Sequence, residues 1–360
     1  MAGKTTSKMI GLYISQALPT LFLAGLFVSP AVNFHKSEKV EFDIIREDEE
    51  VAVVIQDLST GARVNSDDLY TNKEMTPPIY NEEGTFNSFD LIKRQAGNDP
   101  YAEADFQANA IVKAFRLFRK LEKKIRRAIE LQAAQVLTTG KLTLKDQDGN
   151  SLYTIDFAPK TTHFVTVGTL WTANGNDPLA DLSALAEVIR SDGLVDPDML
   201  IMGDGAFNAF IKNADVKAQL DNRKMELSQI APEFRGKGST YQGYVWVGNY
   251  RFEIFTYNGR YKDVQTGVST RYIPTNKVVM MSSKDTRLDL TFGAIPSIVP
   301  PDTRLLKFLP PRLQNEDGGM DLSTFAWITP DGRSLKVSAG TRPLTIPTAI
   351  DTYGCLTVLA

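Results

Sequence analysis

The chain predicts an α+β protein built on one long amphipathic helix, with short strands on either side of it and a second α+β unit inserted behind it. Three observations carry this. Residues 99–140 keep an unbroken three-and-four spacing of apolar side chains. Short runs on both sides alternate apolar and polar residues, the period of half-buried strands. From residue 178 the pattern changes to strands interleaved with shorter helices. At 360 residues, 42% apolar and 23% charged, the chain has material for two cores.

The helix is bounded by residues suited to its ends. Asp99 is an N-cap, Pro100 fits the first turn, and Glu103 and Asp105 place negative charge on the positive end of the dipole. Phe106, Ala110, Ala114, Leu117, Phe118, Leu121, Ile125, Ala128, Ile129, Gln132 and Val136 form one apolar stripe, and Gly140 is placed to end it in a left-handed conformation. Such a rod is about 50 Å long, a scaffold for other elements. It also carries a basic set: Arg116, Arg119, Lys120, Lys123, Lys124, Arg126 and Arg127, flanked by few acids. Three readings stay open for these cations: a solvated face with packed stems, pairing with an acidic cluster of a neighbouring copy, or non-specific contact with DNA.

Composition narrows the function. A net charge of −3 gives no global attraction to nucleic acid or anionic membrane. Cys355 is the single cysteine, so an internal disulfide and a cysteine-rich zinc site are excluded. Two histidines, His35 and His163, weigh against a multi-histidine metal site, and each is expected as a surface or strand residue. No cofactor or metal is expected. The apolar run 18–32 is too short to span a membrane and is broken by Pro19, Gly25 and Pro30. We read it as a short buried helix or docking segment, with a secretory signal as the minor alternative. Gly3, Lys4 and Thr5 resemble the end of a phosphate loop but lack its first glycine.

Residues 39–45 alternate as a strand and run into an acidic cluster, Glu47, Asp48, Glu49 and Glu50. Residues 51–56 read as a second strand. The polar span 57–85 that follows cannot build a core of its own, and a two-stranded projection is marginal in water. Its support is expected from neighbouring copies, with Asp67, Asp68, Tyr70, Pro77, Pro78 and Tyr80 as inter-subunit contacts.

Behind the helix, 141–145 and 151–157 read as a hairpin and 164–171 as a strand. A helix opens at Pro178 and stops at Gly193. The strand 198–202, the turn Gly203–Gly205 and a helix carrying Phe207, Phe210 and Ile211 form a tight connection without the full phosphate-binding fingerprint. Residues 241–247 and 250–257 pair around Gly248 and Asn249, their aromatics read as cross-strand core pairs rather than base-stacking platforms. Asp285 and Asp289 share a strand face but are expected to be solvated. Residues 295–311 are proline-rich and irregular, and the last strands, 334–337, 344–346 and 356–359, are expected to rejoin the early ones beside the rod.

Several segments in order, LPTLFLAGLFVSP, KVEFDII, MTPPIY, the NDP-capped basic helix, YQGYVWVGNYRFEIFTYNGRY, IPTNKVVMM and the ending CLTVLA, resemble lambda-type tailed-phage major capsid proteins. The resemblance implies an HK97-like major capsid fold: an N-terminal arm (1–50), an extended β-hairpin loop (51–86), a peripheral domain (87–177 and 330–360) whose spine helix is 100–139, and an axial domain (178–329). It implies a virion protein that self-assembles into pentamers and hexamers of an icosahedral shell around double-stranded DNA. Scaffolding, portal and decoration proteins are its implied partners, with assembly in the host cytoplasm and no membrane. The shell of a cellular nanocompartment is the alternative, and an α+β enzyme is the third reading, for which no nucleophile elbow, zinc helix or complete phosphate loop is present.

Overall fold

The structure is a computed structural model and describes residues 21–29, 35, 39–45, 70–87, 106–146, 149–220, 228–236, 238–263, 266–295, 321–329 and 333–360. The first described element is a 3-10 turn, Ala24–Leu26. Strands β1 (Val40–Ile45) and β2 (Tyr70–Met75) then pair antiparallel, with Val40 opposite Met75 and Ile45 opposite Tyr70. The partner of the first strand is thus 70–75, and 51–56 lies outside the described residues. Strand β3 (Tyr80–Asn87) leaves this hairpin, and helix α1 (Phe106–Thr139) follows as a rod of 34 residues. The expected caps at 99 and 100 lie outside the described residues. Gly140 ends α1 as anticipated: its φ is +64°, its N–H donates to Val136 O at 2.8 Å, and a Cβ there would lie 2.5 Å from Pro159.

Strands β4 (Lys141–Lys145) and β5 (Ser151–Asp156) form the next hairpin. The strand expected over 164–171 is cut to β6 (Phe164–Thr166). Helix α2 (Pro178–Gly193) is capped by the Asp177 carboxylate, which accepts the N–H groups of Leu179 and Ala180. The left-handed residue at its end is Leu194, while Gly193 is required for closeness, since a Cβ would lie 2.4 Å from Asp351 O.

Strand β7 (Met199–Met202), helices α3 (Asp204–Lys212) and α4 (Ala214–Leu220), and strands β8 (Ser228–Gly236), β9 (Ser239–Val247) and β10 (Tyr250–Tyr257) come next. The small pair β11 (Arg260–Lys262) and β12 (Ser269–Arg271) leads to β13 (Lys277–Met281) and β14 (Leu288–Phe292). Strands β15 (Ser323–Ile328), β16 (Ser334–Thr341), β17 (Pro343–Pro347) and β18 (Tyr353–Thr357) close the chain. The proline-rich stretch from 296 to 320 lies outside the described residues.

A seven-stranded sheet in the order β6-β18-β13-β7-β10-β9-β8 is the central wall. On one side Ile201, Val279, Met281, Tyr353 and Cys355 join a core with the apolar stripe of α1, including Leu121, Ile125, Ile129, Val136 and Leu137. On the other, Leu200, Met202, Val278, Met280 and Leu356 join Leu182, Ile189, Phe207 and Phe210 of α2 and α3. A strand buried on both faces has no reason to alternate, which explains the continuous apolar runs of β7 and β13.

The three-stranded sheet β15-β16-β3 lies on α1, where Gly84 admits Leu117 so closely that a Cβ would come within 2.6 Å of it. Of the late strands, β16 rejoins the early β3 beside the rod. The expectation for the last one is corrected: β18 sits between β13 and β6 inside the central sheet, because its side chains fill cores on both faces. The central sheet thus combines β6 and β18, from outside 178–329, with β7–β10 and β13 from inside it. The turn 203–205 holds no room for a phosphate, since Ala206 N–H donates to Thr275 O at 2.8 Å and a Cβ at Gly203 would touch Pro274 O.

Candidate assembly surfaces

The seven cations expected on one face of α1 divide into two sets. Arg119 and Arg126 turn inward. Arg119 Nη1 donates to Glu122 Oε2 at 2.9 Å, and Arg126 makes a bidentate pair with Asp321 at 2.9 and 2.5 Å while standing 3.8 Å from Glu122 Oε1. Glu122 is fully buried and the side chains of Arg126 and Asp321 are only 15% and 10% exposed. Two positive and two negative groups alternate here, so the buried charge is balanced, and the network ties α1 to the start of β15.

The other set points away from the core. Lys124 pairs with Glu82 of β3 at 2.8 Å in an exposed contact. Arg116, Lys120 and Arg127 are exposed and Lys123 is half-buried, and none of the four has an ion-pair partner among the described residues. Their spacing of four, three and four keeps them within one narrow arc of the helix, a stripe about 16 Å long.

The six residues expected in one projecting loop also part. Asp67 and Asp68, with the acidic cluster Glu47, Asp48, Glu49 and Glu50, lie outside the described residues. Tyr70 opens β2 opposite Ile45. Pro77 is buried and Pro78 half-buried at the root of the hairpin. Tyr80 belongs to the body: its hydroxyl accepts from Gln132 Nε2 of α1 at 2.9 Å, and burial, partly offset by that bond, raises its pKa.

The root is held by Arg342, which is 2% exposed. Its Nε and Nη2 donate to Pro77 O at 3.4 and 3.3 Å, and its Nη1 to Ala294 O at 2.8 Å. Irregular backbone around two segments is thereby satisfied by one planar fork. Sequence reasoning missed Arg342, Glu122, Glu130 and Asp321. The signal for two of them was present, since Glu122 and Glu130 are the only acids in α1.

His163, expected at a surface or in a strand, is instead fully buried in a 3-10 turn. Its Nδ1 lies 3.0 Å from Tyr353 O and its Nε2 3.1 Å from Asp192 Oδ2, with Lys160 Nζ 2.7 Å from the same carboxylate. Burial raises the Asp192 carboxyl, but the hydrogen bonds from Lys160 and His163 outweigh it and hold the group below its ordinary value. The cluster stitches the end of α2 to the entry into β18. Among the described residues no group of three or more His, Cys, Asp or Glu could hold a metal, and no helix is long and apolar enough to cross a membrane.

Solved structures similar to this one include phage and prophage proteins and an encapsulin. The crystal structure of a prophage protein of Escherichia coli CFT073 described as a capsid protein superposes with a TM-score of 0.59 at 16% identity, over 94% of this chain and 95% of that one. A phage-related protein of Bordetella bronchiseptica follows at 0.46 and 11%, over 97% and 96%. An encapsulin of Synechococcus elongatus gives 0.42 and 11%, over 96% and 90%. No curated protein matches the chain in sequence at a significant level. The fold is thus the mixed α+β, HK97-like fold of phage capsid proteins. The sequence model of one family, phage major capsid protein E, matches residues 13–358, and the chain belongs to that family: it is a structural component of the virion that associates with its own copies, and not an enzyme.

Proposed function

We propose that the chain tiles an icosahedral head as hexamers and pentamers around double-stranded DNA, each copy laying its β1–β2 hairpin across the outward basic stripe of a neighbour's α1. In this reading the residues before the hairpin are the N-terminal arm, 40–75 is the extended loop, α1 is the spine of a peripheral domain, and the unit containing α2, α3 and β7–β10 is the axial domain at the capsomer centre. The antiparallel pairing of Val40–Ile45 with Tyr70–Met75 supports taking the loop as 40–75 in this reading rather than as 51–86. Scaffolding, portal and decoration proteins are the further partners the reading implies, with assembly in the host cytoplasm.

One observation carries the neighbour contact. Residues 40–75 hold ten acidic and three basic residues, whereas α1 holds eight basic and two acidic. An isolated two-stranded hairpin of such charge is marginal in water, and an opposite surface on another copy supplies both support and orientation. Individually modest contacts then suffice, because a closed shell multiplies them.

Replacing 46–69 by a short Gly-Ser turn should leave soluble monomers or capsomers in sedimentation and negative-stain microscopy; closed shells at normal yield would refute the loop's role. Lys120→Glu with Arg127→Glu should block closure, and changing Glu47–Glu50 to lysines in the same chain should restore it. Normal shells that merely retain less DNA would instead assign the stripe to the genome.

A further inference from the structure

Residues 21–28 sit in a seat more specific than apolar docking requires. Glu130 of α1 is fully buried. Its Oε1 accepts the N–H groups of Phe22 at 3.2 Å and Leu23 at 2.9 Å, its Oε2 accepts that of Ala24 at 2.8 Å, and the Tyr257 hydroxyl donates to Oε1 at 2.6 Å. All four donors are neutral, and Glu130 has no ion pair among the described residues. The turn Ala24–Leu26 has no capping side chain of its own, so α1 supplies one from 106 residues away. Tyr257, in turn, is held protonated by burial and by the adjacent Glu130 charge, which raise its pKa far above the usual phenol range.

The same segment fills apolar space on both sides of this carboxylate. Leu23 is fully buried and Phe27 nearly so, and the Phe22 ring lies 5.5 Å from that of Tyr257 and 6.1 Å from that of Phe255, both on β10. Val28 then adds to the edge of β14, donating to Leu288 O and accepting from Leu290 N–H, each at 2.8 Å. Three parts of the molecule, the rod, the central sheet and the β14–β17 pair, are thus held by one short stretch of chain.

We infer that residues 21–28 are a strap that locks α1 to the central sheet, and that Glu130 is the positioning residue that seats it. A buried carboxylate needs its lone pairs filled. With the strap lifted, Glu130 keeps Tyr257 alone, so either water enters or Tyr257 and β10 shift. Strap seating and the joint between rod and sheet are therefore coupled as two arrangements rather than a continuum. The seat does not rest on the shell reading above.

The test is hydrogen exchange on the full chain before assembly, comparing wild type with Glu130→Gln and Tyr257→Phe. Gln keeps the shape but turns one acceptor into an N–H donor facing backbone N–H groups. Exchange at the amides of residues 22–24 should speed up by about 10-fold or more while the β13 amides stay protected. Tyr257→Phe should leave those three amides near wild type and loosen the end of β10. Unchanged protection at 22–24 in Glu130→Gln would overturn the inference, and so would equal acceleration in β13, which would mean a general loss of stability. A wild-type chain that never closes into particles would refute the shell reading without touching this result.

Discussion

The two sets of cations on α1 make an instructive contrast. Arg119 is buried and Arg126 largely so in an alternating network with Glu122 and Asp321, whereas Arg116, Lys120 and Arg127, a few positions away, stand in solvent without ion-pair partners among the described residues. Residue type and local spacing are the same in both. A step of 100° per residue carries one set under the sheet β15-β16-β3 and leaves the other outside. Inward charges cross-link the fold. Outward charges contribute little to the fold and remain available to another molecule.

Each half of this contrast can be broken. The largest effect is expected for Asp321→Ala, which removes the bidentate carboxylate partner of Arg126 and leaves the buried Glu122 carboxylate 3.8 Å from it; it should destabilise the chain by about 3 kcal/mol in thermal or denaturant unfolding. A loss of a few tenths would mean that the network is replaceable. Arg342→Met should follow at about 2 kcal/mol, since Pro77 and Ala294 lose donors for buried carbonyls, with proteolytic cleavage appearing first at the hairpin root.

At the weak end, Lys124→Ala removes an exposed pair whose side chains are 50% and 39% accessible and should cost no more than about 0.5 kcal/mol. The double reversal Lys120→Glu with Arg127→Glu should be equally mild in unfolding, within about 0.5 kcal/mol, even though closure of shells is lost. A large stability loss there would erase the distinction between the two sets.

The His163 cluster adds a pH dependence of defined sign. Asp192 is held below the ordinary carboxylate value of 3.8 in the folded chain, so its contribution is fully present above that value and is lost as pH falls through the lower, folded one. Stability should therefore be flat with respect to this group at neutral pH and decline in acid, and Asp192→Asn should flatten that acid limb. An unchanged acid limb would show that Asp192 is not the group responsible.

Much of the local structure was legible in the residues. The period of α1, its end at Gly140, the start of α2 at Pro178 and the β9–β10 pair around Gly248 all follow from spacing and end chemistry, which act over a few residues. The candidate surfaces were legible only in part. Seven basic positions could be named, but which of them face inward depended on a sheet drawn from residues 80–87 and 323–341. Tyr80 could be assigned to a polar span, but not to a hydrogen bond with Gln132. Glu130 stood out only as one of two acids in a basic helix, with nothing nearby to say that it reaches back to the amides of residues 22–24.

The amino-acid sequence by itself determined the rod, its basic character and the acidic run after the first strand, because periodicity, end signals and charge content are properties of contiguous residues; the family was legible only as a resemblance of whole segments in order. Tertiary structure alone decided that β1 pairs with 70–75, that β18 enters the middle of the central sheet, and that two of the arginines, Glu130 and His163 are interior groups. Those outcomes depend on which distant segments close on one another. Long-range closure is chosen by the fit of whole faces and by the filling of buried donors and acceptors, and no single stretch of chain records it.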